Sequence, residues 1–284
     1  MESQRDLERA TIADFGQQWT RFTSNDGYYG SSELFADILG PLQRPSDFEG
    51  RTVLDIGSGT GRIISMLLAA GAGRVIGVEP SVAFDVLQAS VRRLGDTIAS
   101  RTTLIQCTGA DLPPDLRVDR VVSIGVLHHI PDPAPVVTAA FRALRNGGTM
   151  LVWLYGVEGN RLYLWIANPL RWLTRRIPRG FLNGLVWTLY FPLMAYTALC
   201  SVLPLPLGDY LRNVLVRMSP DKRRLVIYDQ LNPAYAKYYT RAEAEALLSG
   251  HGFRNVRSHH RRGYSWTVLG EKPGELGASP ARAP

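Results

Sequence analysis

The run Val53-Leu54-Asp55-Ile56-Gly57-Ser58-Gly59-Thr60-Gly61-Arg62 constrains this chain more than any other stretch. An apolar strand enters three glycines at alternate positions, and the largely apolar run Ile63 to Ala70 follows. Glycine lets a backbone reverse sharply and lets a ligand lie against bare main chain. The helix that follows aims its free N–H groups and positive dipole end at that ligand. Such a strand–turn–helix belongs to an α/β fold with a nucleotide-type site. The spacing is G-x-G-x-G after Asp55, not the G-x-G-x-x-G of dinucleotide enzymes, which disfavours a nicotinamide oxidoreductase.

Further signals follow in order. Arg74-Val75-Ile76-Gly77-Val78 reads as a second strand and ends at Glu79-Pro80-Ser81. An acidic residue there is placed to accept both hydroxyls of a ribose. Leu104 to Cys107 reads as a third strand before Gly109-Ala110-Asp111-Leu112, where Asp111 can accept from an exocyclic amine. Asp119 to Ile124 is a fourth, leading into Gly125-Val126-Leu127-His128-His129-Ile130-Pro131-Asp132-Pro133. Thr149 to Leu154 is a fifth. Thr240, Glu243, Leu247, Leu248 and Gly252 predict a capped helix. Phe253 to Val256 and Tyr264 to Gly270 predict a closing hairpin, with His259, His260, Arg261 and Arg262 as its solvated basic turn.

This ordered set resembles the class I S-adenosylmethionine-dependent methyltransferases over roughly residues 50 to 156. The resemblance implies a Rossmann-like, seven-stranded, mostly parallel α/β sheet with helices on both faces and an antiparallel last strand. It implies S-adenosylmethionine as cofactor. Gly57, Gly59 and Gly61 would pass under its methionine part, with Asp55, Ser58 and Pro80 beside them. Glu79 would hold the ribose, Asp111 and Leu112 would frame the adenine, and Gly125 and Val126 would floor the sulfonium. Val126 to Pro133 looks like the V-L-H-H-x-x-D-P signature of small-molecule members. Base-methylation motifs of the Asn-Pro-Pro-Tyr kind are absent, so no nucleic acid partner is expected. Phe15-Gly16-Gln17-Gln18-Trp19 resembles the F-x-x-x-W lid of some members, with Trp19 over the methionine end; a simple docking helix is the other reading.

With 284 residues and 45% hydrophobic content, the chain supports one core with an inserted subdomain. The expected division is a lid over 1–45, a cofactor domain over 46–156 and 225–272, a helical cap over 157–224 and a disordered tail over 273–284. Two distant cysteines and a polar, charged start without a secretory signal point to the cytoplasm. No Cys/His spacing matches a zinc pattern, so no metal is expected. Between Arg161 and Arg224 ten basic residues face two acidic ones. That excess of eight exceeds the whole chain's +7, so the rest is near neutral.

Gly180 to Gly208 carries no formal charge, yet its Asn, Thr and Pro residues argue against a membrane span. Two readings of the insertion stay open. One is a cap packed on the sheet edge or on a second subunit of a homodimer. The other is a basic, aromatic platform lying on anionic lipid at the inner membrane face or receiving a lipid-like substrate. Arg171, Arg175, Arg176 and Arg179 beside Trp165, Trp172, Trp187 and Tyr190 suit the second.

Candidate chemistry gathers at strand ends. His128 is the first choice as general base, and His129 is read as holding the loop. Glu158 and Asn160, after Tyr155, are placed to orient an acceptor or simply to form a turn. Tyr28, Tyr155, Tyr235 and Tyr239 are read as pocket walls, with Tyr238 between the last two. The expected function is O-methylation of a small or lipid-linked acceptor in a biosynthetic pathway; the rival is a cofactor-binding or membrane-associated scaffold without turnover.

Overall fold

The structure is a computed structural model that describes residues 4–174, 179–231 and 235–274, with side chains except at 166, 172–174 and 179–183. Arg175, Arg176 and the tail from 275 lie outside the described residues, as do the side chains of Trp172 and Arg179.

Seven strands form one sheet: β1 (Thr52–Ile56), β2 (Arg74–Val78), β3 (Thr102–Ile105), β4 (Val118–Ile124), β5 (Leu144–Tyr155), β6 (Arg254–Arg261) and β7 (Ser265–Glu271). The helices are α1 (Gln4–Arg21), α2 (Ser32–Leu39), α3 (Arg62–Ala69), α4 (Phe84–Arg92), α5 (Asp96–Ala99), α6 (Ala134–Ala143), α7 (Arg161–Thr174), α8 (Arg179–Leu199), α9 (Gly208–Tyr210), α10 (Pro220–Leu231) and α11 (Arg241–Ser249). The strand order is β3-β2-β1-β4-β5-β7-β6. The first five are parallel, and β7 runs antiparallel to both β5 and β6. This is the expected architecture, closing hairpin included.

The strands read as apolar on both faces because helices bury both. Leu54 and Ile56 face a core completed by Val137, Ala140, Leu247 and Leu248 from α6 and α11. Val53 and Val75, one residue out of phase, face Phe35, Leu67 and Leu87 from α2, α3 and α4. The capping box of α11 forms as expected: Thr240 N–H donates to Glu243 Oε2 at 2.9 Å, and Glu243 N–H to Thr240 Oγ1 at 3.3 Å.

The chain leaves β1 for β2 and β3 on one side, then returns to β4 and β5 on the other. That reversal opens a crevice at the carboxyl ends of β1 and β4, where ligands bind in open α/β sheets. After β5 the chain runs through a helical stretch before it returns to the sheet. That stretch consists of α7, α8, α9 continuing into a π turn at Leu211–Leu215, and α10.

The β6–β7 turn differs from the solvated basic turn read in the sequence. Arg261 is 3% exposed, and its Nε donates to Asp37 Oδ2 at 2.7 Å. Arg262 joins the same carboxylate at 2.6 Å. The two arginines clamp the hairpin to α2. His260 stacks on Trp266 with centroids 4.3 Å apart. Burial works to raise the Asp37 carboxyl, but hydrogen bonds and charge from Arg262 and Arg261 outweigh it and hold it below its ordinary value.

Removing Asp37 leaves a buried guanidinium uncompensated. Asp37→Ala should cost roughly 3–5 kcal/mol in denaturant unfolding at neutral pH. A depressed folded-state pKa stabilises above the unfolded value, and the gain is lost as pH falls through the folded value. The gap between wild type and variant should therefore close below about pH 4.

Candidate active site

The loop after β1 passes through Gly57 and Gly59 with φ of 78° and 52°. A β-carbon at Gly57 would lie 2.5 Å from Val126 Cγ2, and one at Gly59 would lie 3.3 Å from Trp19 Nε1. Only glycine leaves this cradle open. Gly57 and Ser58 N–H both donate to the Val78 carbonyl at 2.9 Å. Gly59 N–H donates to Glu79 Oε2 at 2.9 Å, and Glu79 Oε1 accepts from Ser81 N–H at 3.0 Å. The acidic residue at the end of β2 thus fixes the loop; Ser81 Oγ also donates to Oε1, so the free lone-pair site for a ligand hydroxyl is on Oε2. Asp55 is buried, and its Oδ2 has no partner. Burial raises its carboxyl to about 7, against the Ser58 hydrogen bond and Arg62. A glycine cradle under an indole, with a carboxylate at the next strand end, fits a nucleoside such as S-adenosylmethionine.

A cavity of about 890 Å³ starts at this loop, near the top of the roughly 300–1,000 Å³ range of ligand sites. Gly57, Ser58, Gly59, Glu79, Pro80, Gly125, Val126 and Trp19 line one end. His129, Tyr155 and Asn160 line it farther along. Leu162 and Leu170 of α7, Leu189 and Leu193 of α8, and Leu211, Val214 and Leu225 beyond complete an apolar far end.

Several other sequence candidates lie off the lining. Thr108 and Gly109 line the cavity where Asp111 and Leu112 were named. Asp111 is exposed and accepts from Thr108 Oγ1 at 2.6 Å, while Leu112 packs in the core. Tyr29 lines the cavity in place of its neighbour Tyr28, which lies under the Arg217 guanidinium. Tyr238 lines it between Tyr235 and Tyr239, neither of which does. Glu158 is a strut: Oε1 accepts from Arg241 N–H and Oε2 from Trp266 Nε1, each at 3.0 Å. Asn160 lines the cavity while its Nδ2 donates to the Gly156 and Tyr264 carbonyls at 2.7 Å.

The two histidines occupy different settings. His128 is fully buried, with its ring tilted against Tyr155 and His129 at centroid distances of 4.0 and 4.3 Å, and neither ring nitrogen has a partner in hydrogen-bond geometry. Burial holds it well below its ordinary pKa. His129 lines the cavity. Its Nδ1 donates to the Tyr235 carbonyl at 2.8 Å. A carbonyl only accepts, so the proton sits on Nδ1 and Nε2 carries the free lone pair. Phe15 of α1 packs on its other side at 4.6 Å. Burial lowers its pKa, with Asp229 opposing.

Residues distant in sequence form the polar roof. The Tyr155 hydroxyl donates to Asp229 Oδ2 at 2.9 Å, and Gln18 Nε2 to Asp229 Oδ1 at 3.4 Å. Arg171, which the lipid-surface reading of the insertion would place outward, is buried. Its Nε donates to the Gln230 carbonyl at 2.7 Å and its Nη2 to the Tyr238 hydroxyl at 2.8 Å. Gln18, Tyr163, Asp229 and Gln230 were not among the sequence candidates, because no local spacing links α1, α7 and α10.

Asp55 has a raised folded-state pKa, so its contribution is fully present below the unfolded value near 3.9 and is lost as pH rises through about 7. Unfolding titrations should show Asp55→Asn gaining stability relative to wild type between about pH 4 and 7. A constant difference across that range would contradict a buried, unpartnered carboxyl.

The profile of the methyltransferase domain family matches residues 54–150. Over 116 residues the chain is 35% identical to tRNA U34 carboxymethyltransferase of Shewanella amazonensis, covering 41% of this chain and 35% of that protein. The same enzyme of Shewanella baltica is 34% identical over 118 residues. The chain spans about a third of the length of these curated relatives. Among solved structures, 1,6-didemethyltoxoflavin-N1-methyltransferase of Burkholderia thailandensis superposes with a TM-score of 0.55 at 14% identity, over 96% of this chain and 92% of that one. Magnesium protoporphyrin IX methyltransferase of Synechocystis also reaches 0.55, at 15% identity, over 95% and 100%. These two likenesses are of fold. Residues 54–150 are therefore a methyltransferase domain, built on the class I S-adenosylmethionine-dependent methyltransferase fold.

Proposed function

We propose that this chain transfers a methyl group from S-adenosylmethionine to an acceptor with a largely apolar body, at an oxygen atom. The observation that carries this reading is the single cavity running from the glycine loop to the leucine-lined cap. The two solved neighbours named above hold S-adenosylhomocysteine, the demethylated cofactor.

When bound, S-adenosylmethionine supplies an electrophilic methyl group on a sulfonium. The chain's part is positioning and proton removal. Gly57 and Gly59 leave room for close approach, and Glu79 Oε2 offers an acceptor for a ribose hydroxyl. Alignment of acceptor and methyl supplies much of the rate, and the apolar cap holds the acceptor and excludes water. His129 Nε2 serves as the general base for an acceptor hydroxyl, a contribution of roughly 10²–10⁴-fold. Its lowered pKa keeps it unprotonated at neutral pH. The choice falls on His129 because it lines the cavity, whereas His128 is sealed behind it.

The curated relatives act on tRNA by name, but their match covers 41% of this chain. The far end of the cavity is walled by leucine, valine and tyrosine side chains of the cap. That lining favours a small apolar molecule over a nucleobase in a polyanion.

Calorimetry with S-adenosylhomocysteine is the first test: no binding by wild type would sink the proposal. Binding without methyl transfer to any oxygen acceptor would leave a scaffold instead, and transfer to bulk tRNA would overturn the acceptor class. Glu79→Ala should weaken cofactor binding by about 1.5–3 kcal/mol. His129→Ala should lower turnover with cofactor affinity unchanged. Wild-type kcat/KM should rise with pH on a limb centred below about 6.5 that the variant lacks.

A further inference from the structure

A second recess of about 330 Å³ lies apart from the active site, between the end of α1 and the cap. Arg21, Lys222 and Arg224 line it, with Trp187 as an apolar wall and Asp221 as its one acid. Arg224 lies over the Trp187 indole at 4.3 Å; its Nη2 pairs with Asp221, and its Nε has no partner. Lys222 is 4% exposed. Its ammonium sits 4.4 Å from the Tyr29 ring centroid and has no hydrogen-bond partner. A buried cation without an acceptor is costly, and an anion in the recess would relieve that cost.

Trp187 also begins an apolar stripe along α8. Trp187 (49% exposed), Phe191 (66%), Ala195 and Leu199 recur every fourth residue, on one face of the helix. Past the helix end, Val202 is 76% exposed. Residues 180 to 208 include no charged side chain. Exposed apolar stretches of this kind mark interaction sites. On the opposite side of the same helix, Leu189, Leu193 and Tyr196 line the active-site cavity. Among the described residues no helix is long and apolar enough to cross a membrane.

We propose that this face docks the chain on an anionic lipid bilayer. Trp187 and Phe191 enter the headgroup–acyl boundary, and lipid phosphates occupy the Arg21–Lys222–Arg224 recess. The pairing of an apolar aromatic face with adjoining cations is what such a surface recognises. RNA fits less well, since the stripe offers it no charge. A second copy meeting through a two-fold axis would bring like-charged recesses towards each other.

Vesicle co-sedimentation of the full chain tests this. Vesicles of phosphatidylcholine mixed with phosphatidylglycerol should pull the protein down at low salt, and less at high salt. Phosphatidylcholine alone should retain little. Arg224→Gln should weaken binding about fivefold. The double variant Trp187→Ser, Phe191→Ser should weaken it about tenfold or more. Both its side chains are exposed and off the active-site cavity, so its circular dichroism and its affinity for S-adenosylhomocysteine should match wild type. That readout separates this proposal from the methyl-transfer reading. No sedimentation with anionic vesicles, or a double variant that binds like wild type, would overturn the proposal. So would release by inorganic phosphate beyond that by chloride at equal ionic strength, which would assign the recess to a free anion. A wild-type dimer lost in the double variant, without vesicle binding, would assign the face to a second copy and overturn it as well.

Discussion

The hydrogen bond from Gly59 N–H to the buried Glu79 carboxylate ties together the two parallel strands that define the site. It is charge-assisted and shielded from water, so it is worth roughly 1.5–3 kcal/mol. It sets the height of the glycine loop over the end of β2, and the same carboxylate also accepts from Ser81. The neighbouring Asp55 is buried with an unpartnered oxygen, and that burial is what raises its carboxyl. The groups that roof the crevice pack over this hydrogen-bonded floor. Trp19 folds over Gly59, and Phe15 packs on His129.

The roof is polar at one level and apolar at another. Asp229 gathers Tyr155 from β5 and Gln18 from α1. Arg171 gathers Gln230 and Tyr238. Each such buried group is satisfied by partners from a different element, so the cap is held in one orientation over the sheet. Beyond this layer the lining turns to leucine and valine. A polar layer near the loop and an apolar space beyond it suit an acceptor with one reactive polar atom and a large hydrocarbon body.

The sheet was legible because its signals are local. The apolar strands, the glycines at 57, 59 and 61 and the capping box at Thr240 and Glu243 each lie within a few residues. The glycine-loop end of the cavity was legible for the same reason: Gly57, Gly59, Glu79, Gly125 and Val126 come from consecutive strand ends and meet at one edge. The far end was not. Which of His128 and His129 faces the cavity depends on a carbonyl at Tyr235, and which tyrosine lines it depends on how the chain returns from α10. The helical phase that buries Arg171 is set by Gln230 and Tyr238, 59 and 67 residues away, which no spacing within α7 reveals. Arg261 looked solvated because its partner Asp37 lies 224 residues earlier.

A crystal structure of the chain with S-adenosylhomocysteine tests the account most directly. It should place the ribose on Glu79, the base against Thr108 and Gly109, and the sulfur towards His129 and the open apolar end of the cavity. Density for the nucleoside anywhere else, or a sulfur facing away from His129, would contradict it.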